Sequence, residues 1–265
     1  MGEKHMPVIR TDEWLNQHFT DPEKLIEPLL DSFHENEPQR LYQFLSSFGM
    51  YSPNRRNKEQ FKQLKENRTW EKVELLLNKY RKNWKGPDVP IYLFPIAQGG
   101  LFFRTSYVKS GLSFPDKMFL FLAQLEDEKE LEALFVHEYH HICRMKRLKK
   151  EMAEYTLLDS IVLEGLAEWA VEKSCGKSYR SKWCTEHDRE RIRYYWHKYV
   201  KNNIDIKRDN ELHDQILFGE GKYPKMLGYS IGYEIVSMYD NEKKIKLKES
   251  MVIPSKLFLP QWEKE

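Results

Sequence analysis

Apolar residues recur at helical spacing through the first third of the chain. Leu25, Ile26, Leu29, Leu30 and Phe33 follow Asp21-Pro22, a capping residue and first-turn proline that start a helix. Leu41 to Phe48 reads as a second segment closed by Gly49. Ser52-Pro53-Asn54 breaks the chain before Phe61, Leu64, Trp70, Val73, Leu76, Leu77 and Tyr80 resume the 3.6-residue period. Lys62, Lys65, Glu66 and Arg68 read as the solvated face of these helices. After Trp84-Lys85-Gly86-Pro87-Asp88 the pattern changes. Val89 to Phe94 and Met118 to Ala123 are short, aromatic, β-prone runs, with Gly99-Gly100, Gly111 and Pro115 as punctuation between them. Helical periodicity then returns, with later segments near 186–202 and 224–240, while the last twenty residues, with Pro254 and Pro260, show no clear period. The pattern predicts a predominantly helical α+β fold with a small sheet. It divides into an N-terminal helical region, 1–88, and a second region, 89–265, or forms one continuous domain.

Composition narrows the function classes. A chain of 265 residues can bury about 70–75% of its unfolded surface without a disulfide or structural metal. Lys+Arg 43 against Asp+Glu 41 leaves a net charge of +2, which argues against a protein whose main work is neutralising phosphates. No nucleic-acid partner is expected. The three cysteines are odd in number and form no CxxC pair, which excludes a disulfide framework and a zinc ribbon. Met1 to Pro7 holds no apolar leader core, and the longest apolar run, Met118 to Ala123, falls far short of the ~20 residues of a membrane span. The expectation is a soluble cytoplasmic protein with no membrane partner; no oligomeric state follows.

The chemistry concentrates in Leu134-Phe-Val-His137-Glu138-Tyr-His140-His141-Ile142. His-Glu-x-x-His arises by chance in about 3% of chains of this composition. On a helix its two imidazoles stand one turn apart on one face, able to share a tetrahedral metal while Glu138 reaches water at that metal. Leu131, Leu134, Phe135, Ile142 and Met145 form an apolar stripe that Glu138 interrupts, and an ionisable group on a buried face is costly unless paired or metal-bound. A second helical stretch, from about Tyr155 to Ser174, repeats the motif of acids in an apolar face: Leu157, Ile161, Glu164, Glu168 and Val171 share one side. The 22 residues between His141 and Glu164 suffice to finish one helix, turn and lay a second alongside, with Gly165 allowing the two backbones to approach closely. Glu164 then completes a two-histidine, one-carboxylate zinc site, and Glu168 accepts the far N–H of a ligating histidine. His140 faces about 100° away from His141, so it is expected to be exposed or to support the site from outside. Arg144, Lys146, Arg147, Lys149 and Lys150 close the helix where the macrodipole favours cations. The cysteines are expected to be buried and inert.

His137-Glu-x-x-His141 followed by Glu164-Gly-Leu-Ala-Glu168 resembles the gluzincin metallopeptidases. With Glu164-Gly-Leu-Ala-Glu-Trp169 and Gly228-Tyr-Ser-Ile-Gly-Tyr233 added, the chain from about 90 to 240 looks like the YjaZ-like family of predicted bacterial zinc proteases. The resemblance implies a zincin-like catalytic domain, an HExxH active-site helix, Zn2+ and a peptide or protein substrate, with Glu138 as general base. It also implies an edge strand upstream of that helix, expected at Lys117 to Ala123, where substrate adds as a further strand. For the oxyanion donor it points to a downstream helix, where Tyr229 matches best and Tyr233 and His213 are rivals. The reading is a zinc-dependent peptidase. Its alternatives are a zinc-binding regulatory or scaffold protein with little turnover, and a zinc hydrolase of a non-peptide amide.

Overall fold

Turn chemistry sets the element boundaries in the first half of the chain. Asp21 accepts from the Lys24 N–H with Pro22 in the first turn, and Asn54 accepts from the Asn57 N–H. A computed structural model describes residues 7–97 and 108–263; the Gly99-Gly100 turn and the first six residues of the chain lie outside these. Helices α1 (Thr11–His18), α2 (Pro22–Ile26), α3 (Leu30–Phe33), α4 (Pro38–Ser47), α5 (Arg55–Glu66) and α6 (Thr69–Trp84) precede three strands, β1 (Ile91–Pro95), β2 (Lys109–Ser113) and β3 (Met118–Leu122). Then follow α7 (Glu128–Leu148), α8 (Leu157–Cys175), α9 (Arg189–Tyr195), α10 (Glu211–Phe218), α11 (Leu227–Lys243), α12 (Leu247–Ser250) and α13 (Leu259–Glu263). The fold is thus mostly helical with one small sheet. Contacts divide the chain into residues 1–138 and 139–265, and the division falls inside α7.

In the first unit the sheet order is β1-β3-β2. β1 runs parallel to β3 from Ile91↔Met118 to Pro95↔Leu122, and β2 runs antiparallel to β3 from Lys109↔Leu122 to Ser113↔Met118. β1 and β3 are buried along their whole length, which is why both read as continuous apolar runs rather than alternating ones. β3 is therefore the central strand with both edges paired, not the edge strand that the sequence suggested. Val8 bridges to Ile91 on the β1 side, so among the described residues β2 is the outer strand at the other edge. β2 has no strand signal of its own, because Lys-Ser-Gly-Leu-Ser carries a central glycine and no aromatic or β-branched residue. The N-terminal half of α7 is tied to α6 through Glu132, whose carboxylate takes Lys79 Nζ at 2.5 Å, Tyr80 OH at 2.6 Å and Lys129 Nζ at 2.6 Å. Burial alone would raise this carboxyl, but the three donors outweigh it and hold the pKa at about 2.

The second unit is built on the crossing of α8 and α11. A Cβ on Gly165 would lie 2.1 Å from the carbonyl carbon of Gly232, and one on Gly232 would lie 2.0 Å from the Ile161 oxygen. Gly165 does permit a close backbone approach, but its partner is α11 rather than the helix of the histidines. Thr156 caps α8, accepting from the Asp159 N–H while the Asp159 carboxylate takes the Thr156 N–H. Further along α7, Arg144 is 1% exposed and donates to Ser250 O at 2.8 Å, Ile253 O at 2.9 Å and Ser255 Oγ at 3.3 Å. Arg147 reaches Lys248 O at 3.1 Å, and His140 Nε2 lies 3.1 Å from Ser250 Oγ. Two of the basic residues that close the helix thus hold the C-terminal segment, and His140 is fully buried against it. Burial draws the Arg144 pKa down to about 10, still charged at neutral pH. The segment near 186–202 resolves into α9, a π turn over Trp196–Val200 and a 3-10 turn over Lys201–Asn203. The segment near 224–240 is α11.

Two outcomes test this packing. Gly165→Ala has no space against the Gly232 backbone and is expected to lower stability by about 3 kcal/mol, read as a shift of the urea midpoint. Glu132 has a folded pKa near 2 against an unfolded value of 4.5, so its contribution is complete above about pH 4.5 and is lost as the pH falls towards 2. In Glu132→Gln, urea unfolding at stepped pH should show a flatter stability curve across that interval.

Candidate metal centre

His137, Glu138 and His141 lie within the unbroken 21-residue helix α7, so their mutual placement is set by the helix itself. His141 is buried and His137 half-buried. Glu164 comes from α8, with its side chain 15% exposed, and its Oε2 lies 3.4 Å from His141 Nε2. One ligand atom from each of His137, His141 and Glu164 falls within 4.8 Å of the other two. Among the described residues no other group of three or more His, Cys, Asp or Glu side chains converges in this way.

The donor set and its spacing fit zinc. Zinc–ligand bonds of about 2.0–2.2 Å in a tetrahedron put two ligand atoms roughly 3.4 Å apart. A charge-assisted hydrogen bond between imidazolium and carboxylate would close to about 2.7–2.9 Å. The 3.4 Å between His141 and Glu164 is compatible with two atoms sharing a cation. Three protein ligands, two of them half-buried, leave a fourth position for water or substrate, as catalytic zinc sites do.

Glu138 is 6% exposed and turns towards β2. Ser113 Oγ donates to Glu138 Oε2 at 2.6 Å and lies 3.1 Å from the Glu138 carbonyl oxygen. A Cβ on Gly111 would fall 2.3 Å from Glu138 Oε1, so this strand position admits only glycine while the carboxylate lies there. Sequence alone does not single out Ser113, and it reads Gly111 only as punctuation between strands. The available signal was Gly111 itself, since an isolated glycine within a strand marks a close approach by another group.

On α8 the acids continue at successive turns. Glu168 Oε2 accepts from the Ser181 N–H at 2.7 Å and lies 3.6 Å from Cys184 Sγ. Burial, reinforced by the Glu168 charge, pushes the Cys184 thiol far up, and burial raises Cys143 to about 12. Both are inert thiols at neutral pH, and all three cysteines are buried and outside any disulfide. Glu172 holds Arg180 Nη1 at 3.0 Å and takes the Tyr233 hydroxyl. Burial, then the Glu172 carboxylate, raises Tyr233 to about 12.

Of the three oxyanion candidates, Tyr233 is therefore engaged by Glu172 and Arg180. His213 is fully buried, with Nε2 2.9 Å from Ser160 Oγ and Nδ1 2.7 Å from Asp214 Oδ1. Tyr229 sits half-buried on α11, its ring 6.2 Å from that of Phe218. Ser160, His213 and Asp214 have the connectivity of a hydrolase triad, yet the surroundings deny that chemistry. Ser160 lies inside α8 with its own N–H on Thr156 O. The N–H groups of Leu157, Leu158 and Asp159, which could form an oxyanion hole at the helix start, are taken by Ile206 O, Ile204 O and Thr156 Oγ. The trio fastens α10 to α8.

A helical α+β chain with two histidines one turn apart and a carboxylate from the next helix offers a candidate metal site. Residues 69–260 match the family described as "Predicted Zn-dependent protease (DUF2268)", and the chain belongs to that family. It is 37% identical over 257 residues to "Uncharacterized protein YjaZ" of Bacillus subtilis (strain 168), covering 96% of this chain and 98% of that protein. A second protein of that organism, "Uncharacterized protein YjfC", is 26% identical over 140 residues, covering 49% of this chain and 46% of its own length. No solved structure matches the chain. Among the described residues, no helix is long and apolar enough to cross a membrane.

A fluorophosphonate probe is expected to leave Ser160 unlabelled, read by mass spectrometry of the peptide containing it. Ser160→Ala is expected to cost about 1–3 kcal/mol in stability by stranding the buried His213 Nε2.

Proposed function

We propose that the chain is a zinc-dependent peptidase of the gluzincin type, in which His137, His141 and Glu164 hold Zn2+ and Glu138 is the general base. The observation that carries this reading is the convergence of those three donors at zinc-compatible spacing, with Glu138 between the two histidines in sequence. A zinc ion held there would act as a Lewis acid, polarising the scissile carbonyl and lowering the pKa of water at the site.

The chain's own residues supply the rest. Glu138 takes the proton from the attacking water and returns it to the leaving amine. Glu168 orients a ligating imidazole by accepting its far N–H, and the Ser181 N–H keeps that carboxylate from turning away. Tyr229 donates to the oxyanion as charge develops on it. With β3 paired on both sides, the peptide adds instead along β2, the outer strand, which also carries the partner of Glu138. Buried cysteines outside any disulfide support a cytoplasmic setting.

Elemental analysis of protein purified without chelator or affinity tag tests the ligand set. One zinc per chain is expected, lost in both His137→Ala and Glu164→Ala. Glu138→Gln should keep its zinc while cleavage of a quenched-fluorescent peptide library falls by about 10²-fold or more. No zinc in the wild type, even after zinc is added back, would overturn the proposal.

A further inference from the structure

We propose that Ser113 of β2 is the positioning residue for Glu138, that Gly111 is the space it is positioned into, and that Oε1 is the oxygen left to carry the proton. This rests on the reading of Glu138 as the proton-transfer group.

The argument begins with the match between a strand and a helix. Lys109 Nζ donates to Glu130 O at 2.9 Å and pairs with the Glu130 carboxylate. Four residues further along β2, Ser113 meets Glu138, eight residues further along α7. Four strand residues advance about 13 Å and eight helix residues about 12 Å, so the strand keeps step with the helix over this length. Lys109, Gly111 and Ser113 alternate onto one face of β2, and that face lies along α7. The strand is fastened at both ends, and between them Gly111 offers bare backbone to the carboxylate.

A glutamate has three side-chain torsions, and burial alone does not select one setting. Here Oε2 is fixed by the Ser113 hydroxyl at 2.6 Å. Gly111 receives the rest: a Cβ there would meet Oε1 at 2.3 Å, Cδ at 2.4 Å and Cγ at 2.5 Å. No hydrogen bond to Oε1 occurs among the described residues. One oxygen is thereby anchored and the other lies against bare backbone without a hydrogen bond, which holds the base in one conformer before substrate arrives.

The test uses zinc-loaded full-length protein. Ser113→Ala is expected to lower kcat on a quenched-fluorescent peptide library about tenfold or more, with KM within about twofold and zinc stoichiometry unchanged. Ser113→Thr, which keeps the hydroxyl, should restore most of the rate. An unchanged or increased kcat in Ser113→Ala overturns the proposal, since the hydroxyl would then be idle or holding the carboxylate away from its work. A wild type that binds zinc but cleaves no peptide overturns the peptidase reading instead. Thermal unfolding then decides the pairing without any activity: Gly111→Ala should destabilise the wild type and be tolerated in Glu138→Ala. Equal destabilisation in both backgrounds overturns it.

Discussion

Gly165 and Gly232 place two helices in backbone contact, with no side chains between them. Most helix pairs meet through interdigitating side chains, whose rotamers let the helices shift by a fraction of an ångström. Here the contacting atoms are the Gly232 carbonyl carbon and the Ile161 oxygen, so α8 cannot slide or roll on α11 without collision. Glu164 is the residue before Gly165, and its direction from the helix axis is set by the same contact. The carboxylate facing His141 is thus located by glycines that carry no chemistry.

The acids of α8 show how one helix face can carry several negative charges. Glu164, Glu168 and Glu172 stand at successive turns, close enough to repel one another. Each has a different environment: Glu164 faces an imidazole, Glu168 takes a backbone N–H and lies near a thiol, and Glu172 is matched by a guanidinium and a phenol. An apolar stripe interrupted by acids, as read in the sequence, corresponds here to three carboxylates in three different settings.

Much of this was legible in one dimension because helical periodicity is local. Spacings of three and four residues put His137, Glu138 and His141 on a helix and Glu164 and Glu168 on the next. The length between the histidines and Glu164 allowed the two helices to meet. What stayed hidden depended on distant partners or on weak local signals. Lys-Ser-Gly-Leu-Ser shows neither apolar alternation nor β-branching, so nothing local marks β2 as a strand or sets it beside β3. His140 and Arg144 look like surface residues until Ser250, Ile253 and Ser255 are brought against them. The role of His213 changed because sequence cannot reveal that both its nitrogens are occupied.

Arg144 also gives the chain a clock. Its most distant partner, Ser255, lies 111 residues downstream, and a guanidinium cannot be buried before acceptors exist for it. At about 5–20 residues per second, a ribosome needs on the order of 5–20 s to make that stretch. Throughout that interval the charge must stay in water, and the C-terminal half of α7 stays uncovered with it. The helix that carries His137 and His141 therefore gains its cover over Arg144 only after residue 255 has been made. The two histidines thus exist on the nascent helix well before the contacts that hold its far end.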